Sequence, residues 1–483
     1  MVFSDLFFIF AFLPSFLALY FIAYWIDRRF FSEGKGLQMN TTVRNVVLVV
    51  FSLIFYAWGE PVYVFLMLAS SLMNYVAGLA IARGDAHRKT ALVIGLTLNL
   101  LVLATFKYAG FFADTLTAIG LPVANPGISL PIGISFYTFQ SISYLIDVYR
   151  REAPVQRRYY DLLLYISMFP QLIAGPIVRY DVVAMEIGSR RVTQYDFVCG
   201  SYRFLIGLGK KVILANQLSE ISTQFLGGNL SNTSTAGAWV GILAFTLQIF
   251  FDFSGYSDMA IGLGRCLGFH FAENFNHPYI SKTITEFWRR WHMSLGSFFR
   301  DYVYIPMGGN RRHQAWNIMV VWFLTGMWHG ASWNFILWGV YFGIIVMLEK
   351  YTILKVTRYI PAPLLHLYTI FLFVLGWGIF YFDDFTKMQR FFSISFGNTA
   401  TLYDFTAESA VMNNFWLWIV ALIFCLPVYD IVTNAFDRAM PKETTLKHTI
   451  SLITRISVSV ALLLTSVALL VGATNNAFIY TRF

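Results

Sequence analysis

Two histidines, His329 and His292, are the side chains of this 483-residue chain best suited to moving a proton. His329 lies in Met327-Trp328-His329-Gly330, between an apolar run ending at Gly326 and another starting near Ala331. Ionisable groups inside membrane segments are rare and usually functional. Imidazole titrates near neutral pH and accepts a proton without a metal, which favours a general base. A hydrogen-bonded structural histidine is the competing reading. Gly330 would let a ligand approach the backbone closely. His292 could act on substrate, orient its partner or simply pack. The remaining histidines look peripheral. His87, His313 and His448 lie in charged loops, His366 starts a segment, and His270 and His277 flank a loop near Pro278. No pair has the H-x-x-x-H spacing of a helical metal site, and Cys199, Cys266 and Cys425 lie far apart, so no metal site is expected.

Asp252 and Asp258 stand in an otherwise apolar run, Phe251-Asp252-Phe253-Ser254-Gly255-Tyr256-Ser257-Asp258. Two carboxylates there suggest a polar cavity or pairing with buried arginines. Pro306-Met307-Gly308-Gly309-Asn310-Arg311-Arg312 is a turn with adjacent cations. Its amides could cradle a phosphate, although an ordinary turn is the commoner meaning. There is no Walker A motif, Rossmann fingerprint or G-x-S-x-G elbow, so ATP hydrolysis and ordinary serine-hydrolase chemistry lack support.

These residues must be held by membrane helices. Hydrophobic residues make up 57% of the chain, aromatics 18% and charged residues only 13%. A soluble domain carries roughly 25% charged residues. So few charges exclude a large soluble enzyme, a coiled coil and disorder. Apolar runs near 20 residues suit spanning helices, not the short alternating strands of a barrel. The sequence therefore predicts an all-α polytopic membrane protein with about 10–12 spanning helices, plus interfacial and re-entrant helices. Residues 1–483 are read as one membrane domain: N-terminal helices over 1–128, a catalytic core over 129–350, and C-terminal helices with a tail over 351–483. Met1–Ile26 reads as a retained first span, having no basic n-region.

Basic loops set a sidedness. Arg28, Arg29, Lys35 and Arg44 share a side with Arg83, Arg88 and Lys89, two spans later, and with Arg150, Arg151, Arg157 and Arg158. This distribution predicts cytoplasmic basic loops and an N-terminus and C-terminus outside. The net charge of +9 needs no nucleic-acid partner. Residues 279–313 are too charged to span. Thr283 and Glu286 have the spacing of a capping box, and Trp288, His292, Leu295 and Phe299 then recur on one face. This reads as an amphipathic helix against membrane lipids, with Arg289, Arg290 and Arg300 off the apolar stripe.

At this point the motifs resemble a family. Thr285-Glu286-Phe287-Trp288-Arg289-Arg290-Trp291-His292-Met293-Ser294-Leu295, then Arg300-Asp301-Tyr302 and Trp328-His329-Gly330, resemble the membrane-bound O-acyltransferases. Leu130-Pro131-Ile132-Gly133-Ile134-Ser135-Phe136-Tyr137, Ala174-Gly175-Pro176 and Phe251–Asp258 fit as well. The likeness covers most of the chain and is densest over 130–340. The opening Met1-Val2-Phe3-Ser4 and the Gly308-Gly309-Asn310-Arg311 turn are similar to the bacterial alginate O-acetyltransferase branch, although Gln171 stands where many of those members carry histidine.

The resemblance implies a thin-centred fold entered from both faces, with His329 as the invariant histidine and His292 as its companion. It implies no bound cofactor and acetyl-CoA as the donor. Arg289, Arg290, Arg311 and Arg312 would attract the donor's phosphates. The acetyl group would pass outward to alginate or a related polysaccharide, with a periplasmic SGNH-type acetyltransferase and a polysaccharide biosynthesis complex as partners, at the bacterial inner membrane. The terminal Phe478-Ile479-Tyr480-Thr481-Arg482-Phe483 carries Tyr480, a candidate acyl relay, with an interfacial aromatic anchor as the alternative. D-alanyl or peptidoglycan acyl transfer by the same family, a transporter of acyl donor or substrate, and a non-catalytic scaffold are the competing readings.

Overall fold

A computed structural model describes residues 1–31, 41–85, 87–173, 175–440, 444–473 and 478. All regular elements among them are helices. Those used below are α1 (Phe8–Phe31), α2 (Thr42–Gly59), α3 (Tyr63–Ala82), α4 (Arg88–Ala118), α5 (Ile134–Arg150), α6 (Thr235–Cys266), α7 (Ile284–Arg290), α8 (Met293–Phe299), α9 (Gln314–His329), α10 (Trp333–Leu348), α11 (Ala362–Tyr381) and α12 (Thr445–Val471). Eight helices among the described residues are long and apolar enough to cross a membrane, or nine if Phe405–Asn413 and Phe415–Cys425, bent by 66°, form one span. Helices α5 and α9 are apolar but shorter, at 17 and 16 residues. The expected polytopic helical class holds.

Two compact units divide the chain. The first comprises Met1–Phe204 with Tyr256–Ala272. Its core is a cluster of phenylalanines, Phe3, Phe8, Phe12, Phe16, Phe55 and Phe169, with neighbouring ring centroids 5–6.3 Å apart. It also buries charge. Asp27 and Arg44 are fully buried and 3.5 Å apart. Asp27 accepts the Val43 and Arg44 amides at 2.9 and 3.1 Å, so a carboxylate at the end of α1 satisfies the first turn of α2. Arg44 is therefore not a solvated loop cation, as its position in the sequence suggested. Asp27 holds it inside the unit. Arg190 continues the network, donating to Asn45 Oδ1 at 2.7 Å and to the Leu267 carbonyl at 3.1 Å.

The second unit comprises Leu205–Gly255 and the described part of Glu273–Ile479. Both candidate histidines belong to it. Its core is an aromatic stack of Tyr279, Phe287, Trp291 and Phe373, extended by Trp288, Trp338, Phe342 and Trp377. The apolar stripe expected over 284–299 is buried, but the helix carrying it is broken. Helix α7 ends at Arg290 and α8 starts at Met293. Between them His292 adopts φ 44°, in the left-handed region. The reason lies in competing hydrogen bonds: the Met293 amide donates to Asn274 O and the Asn276 amide to Arg290 O, each at 2.9 Å. The segment 274–276 thus supplies the hydrogen bonds around the turn at His292 in place of the helical ladder.

Candidate functional site

His329 is the last residue of α9 and is buried. Its imidazole meets Trp338 and Phe380 edge to face, at 4.9 and 5.2 Å between centroids, and Trp328 at 5.0 Å. Phe335 lies further out, at 6.4 Å. These rings come from α9, α10 and α11. Helices α9 and α10 form a close hairpin. A Cβ on Gly326 would sit 2.3 Å from the Phe335 carbonyl oxygen, and one on Gly339 would sit 2.4 Å from that of Trp322. Hydrogen at these two positions lets the backbones approach, as in other small-residue helix crossings. Gly330 has a similar explanation. The space a Cβ would fill there is taken by the Phe335 ring, 2.2 Å away, so Gly330 accommodates a neighbour and not a ligand.

Asn334 ties this wall to α11. It is buried, and its Nδ2 donates to the carbonyls of Ile379 and Phe380 at 3.5 and 3.3 Å. The last turn of α11 thereby gains partners for carbonyls that the helix leaves over, and Phe380 is held against His329.

His292 sits 2% exposed between α7 and α8. Its ring meets Phe253 edge to face at 4.7 Å and Trp328 at 5.6 Å. The Trp328 indole therefore contacts both candidate histidines. His292 Nδ1 lies 3.1 Å from Asn274 Oδ1. Burial without a compensating charge holds its pKa down at about 3. Such a ring is neutral at physiological pH, with one nitrogen able to donate a hydrogen bond and the other to accept one.

Helix α7 is aimed by carboxylates. Thr283 Oγ1 accepts the Glu286 amide at 3.0 Å, as the capping-box spacing predicts. Glu286 reaches back to the Lys282 amide, also at 3.0 Å. The stronger device is remote in sequence. Fully buried Glu349 accepts the Ile284 and Thr285 amides, both at 2.7 Å.

The other expected residues fall in different places. Asp252 pairs with Lys211 at 2.6 Å and Asp258 with Arg203 at 2.8 Å, so each carboxylate has a cation of its own. Arg289, Arg311 and Arg312 are exposed, while Arg290 is engaged by Glu286 at 2.9 Å. The glycine turn does not form a phosphate nest. The amides of Gly308, Gly309, Arg311 and Arg312 all donate to carbonyls within the segment 304–308. Asn310 Oδ1 tethers the turn by accepting from Tyr304 and Gln314 at 2.7 and 2.6 Å. Tyr480 lies outside the described residues. Phe478, two positions earlier, is described and buried, and its ring is 6.5 Å from that of Phe253, which packs on His292.

Asn274, Asn334 and Glu349 are the positioning residues that sequence reading missed. Asn274 lies 18 residues from His292 and Glu349 lies 65 from Ile284, so no local spacing links them. A carboxylate near the end of an apolar run, as at Glu349, was the one available signal.

Both imidazoles are buried against aromatic rings, in a chain whose long apolar helices are those of a polytopic membrane protein. The sequence profile of MBOAT, the membrane-bound O-acyltransferase family, matches residues 150–389. The chain is 41% identical over 407 residues to the probable alginate O-acetylase AlgI of Azotobacter vinelandii, covering 82% of this chain and 78% of that protein. It is 40% identical to the protein of the same name from Pseudomonas aeruginosa, over 82% of this chain and 75% of that one. The peptidoglycan O-acetyltransferase of Helicobacter pylori is 34% identical, over 72% and 70% of the two chains. The chain belongs to the membrane-bound O-acyltransferase family and is an O-acyltransferase enzyme of the membrane.

Proposed function

We propose that this enzyme takes an acetyl group from acetyl-CoA on the cytoplasmic side of a bacterial inner membrane and passes it outward for O-acetylation of alginate or a related cell-surface polysaccharide. The observation that carries the reading is His329, a buried imidazole walled by Trp328, Trp338 and Phe380, in a chain about 40% identical to alginate O-acetylases. The peptidoglycan relative makes a peptidoglycan sugar hydroxyl the alternative acceptor.

In this mechanism an acceptor hydroxyl attacks the thioester carbonyl. The new C–O bond forms, His329 takes the hydroxyl proton, the C–S bond breaks, and the coenzyme thiolate leaves and recovers a proton from the imidazolium. A positioned base contributes about 10²- to 10⁴-fold. Holding hydroxyl and thioester together in a water-poor site supplies much of the remainder. His292 acts beside it through the shared Trp328 wall. Exposed Arg289, Arg311 and Arg312 attract donor phosphates, and Arg290 contributes what charge Glu286 leaves it.

Tyr480 is the proposed first acceptor. Phe478, two residues earlier in the chain, is buried, with its ring 6.5 Å from that of Phe253. The acetylated tyrosine would then hand its acyl group to a periplasmic SGNH-type partner of the polysaccharide biosynthesis complex, with both termini outside the cytoplasm.

The test is transfer from radiolabelled acetyl-CoA by the detergent-purified protein. His329→Ala should lose about 10²- to 10⁴-fold in rate while keeping its thermal unfolding profile. Equal thioester turnover by the wild type and a folded His329→Ala would remove His329 from the mechanism. Tyr480→Phe with unchanged polymer acetylation would reject the relay.

A further inference from the structure

His292 is held at both its backbone and its ring by a single residue, Asn274, which is itself 1% exposed. The Asn274 carbonyl oxygen accepts the Met293 amide at 2.9 Å, immediately after the left-handed turn at His292. The Asn274 side chain reaches the ring. Its Oδ1 lies 3.1 Å from His292 Nδ1, 3.2 Å from the Ser294 amide nitrogen and 2.9 Å from Ser294 Oγ.

These contacts determine where hydrogens lie. A backbone amide only donates, so the side-chain atom facing Ser294 N must be the oxygen of Asn274 and not its nitrogen. An amide oxygen only accepts, so His292 Nδ1 approaches it as N–H. Ser294 Oγ competes for the ring nitrogen, because a hydroxyl 3.4 Å from Nδ1 could donate to it. It is closer to Asn274 Oδ1, and its proton goes to that oxygen. In a neutral imidazole one nitrogen donates and the other accepts. With the proton on Nδ1, Nε2 carries the lone pair.

We propose that Asn274 is a positioning residue that fixes His292 as the Nδ1–H tautomer, so that His292 Nε2 presents a hydrogen-bond-accepting lone pair beside the reaction, whose proton His329 takes, and is not a donor to the thioester oxyanion. This rests on the reading of His292 as a group that acts on substrate. Asn274 does not touch substrate. It acts through the ring it orients, as second-layer partners of functional histidines do elsewhere. The depressed pKa of His292 agrees, since a ring that stays neutral keeps the lone pair.

The experiment combines kinetics with the nitrogen spectrum of the full-length protein labelled with ¹⁵N-histidine in lipid vesicles, His292 being assigned by its loss in His292→Gln. The wild type should give the Nδ1–H tautomer. Asn274→Ala should lose that signature and fall on the order of 10²-fold in kcat, with KM changed less than about twofold. Asn274→Asp offers an acceptor-only side chain to the same three donors and should restore both the tautomer and most of kcat. An Nε2–H signature in the wild type overturns the proposal, as does Asn274→Ala that keeps both tautomer and kcat. The wild-type spectrum decides even if Asn274→Ala does not fold. Full turnover by His292→Gln would instead sink the reading of His292 as an acting residue, while the tautomer would still judge Asn274.

Discussion

His292 spends stability twice: a non-glycine residue in the left-handed region costs on the order of 1 kcal/mol, and its imidazole is buried with Phe253, Trp328 and Asn274 around it, none of them charged. The second cost is readable in acid. The unfolded residue titrates near 6.5 and the folded one near 3. Between those values the unfolded chain binds the extra proton, so stability is fully present above about pH 6.5 and falls as pH drops, by about 1.4 kcal/mol per unit. His292→Gln lacks this titration. Between pH 7 and pH 5 its unfolding temperature should therefore fall less than that of the wild type. Parallel curves for the two proteins would show that His292 is not buried neutral. The type of both histidines was legible in the sequence because each stands out against apolar or aromatic neighbours. Their anchoring was not, since Asn274 and Asn334 resemble any polar loop residue until the chain is folded.

At the scale of elements, the start of α7 was legible and its end was not. Thr283 and Glu286 announce a cap through local spacing. The break after Arg290 depends on hydrogen bonds from 274–276, which no periodicity within 284–299 encodes. Glu349 belongs with the break, as a residue on a later helix that completes the first turn of α7. Glu349→Ala leaves the buried Ile284 amide and the part-buried Thr285 amide without their acceptor, at a cost of about 1–3 kcal/mol for the buried one. It should lower the unfolding temperature and also kcat, because α7 leads directly into His292. Glu349→Gln keeps one amide oxygen and should lie between the two. Activity of Glu349→Ala equal to wild type would mean that α7 is aimed by packing alone. The α9–α10 hairpin gives a sharper contrast. Gly326→Ala meets a backbone carbonyl at 2.3 Å and should abolish accumulation of folded protein, whereas Gly343→Ala meets the flexible Met319 sulfur at 3.0 Å and should fold. Comparable yields of both in detergent would contradict the close crossing.

For the whole molecule, composition made the helical membrane class legible, since 13% charged residues leave no other place for 57% apolar ones. What composition concealed is that several of those few charges are interior. Asp27, Arg44, Arg190, Lys211, Asp252 and Glu349 are all buried, Arg44 within the first turn of α2. Asp27 and Glu349 do the same work at different ends of the sequence: each carboxylate satisfies two amides at the start of another helix, α2 in one unit and α7 in the other. Asp27 also faces Arg44, which makes it the more costly residue to remove. Breaking a buried ion pair from one side leaves an uncompensated charge and costs about 3–5 kcal/mol. Asp27→Ala should therefore unfold well below the wild type in a detergent melt. Arg44→Met should cost less, because Asp27 retains the Val43 and Arg44 amides. The double variant Asp27→Ala with Arg44→Met should be more stable than Asp27→Ala alone, since the stranded guanidinium is gone. If the two losses simply add, Asp27 matters only as a helix cap and the ion pair contributes nothing to holding α1 against α2.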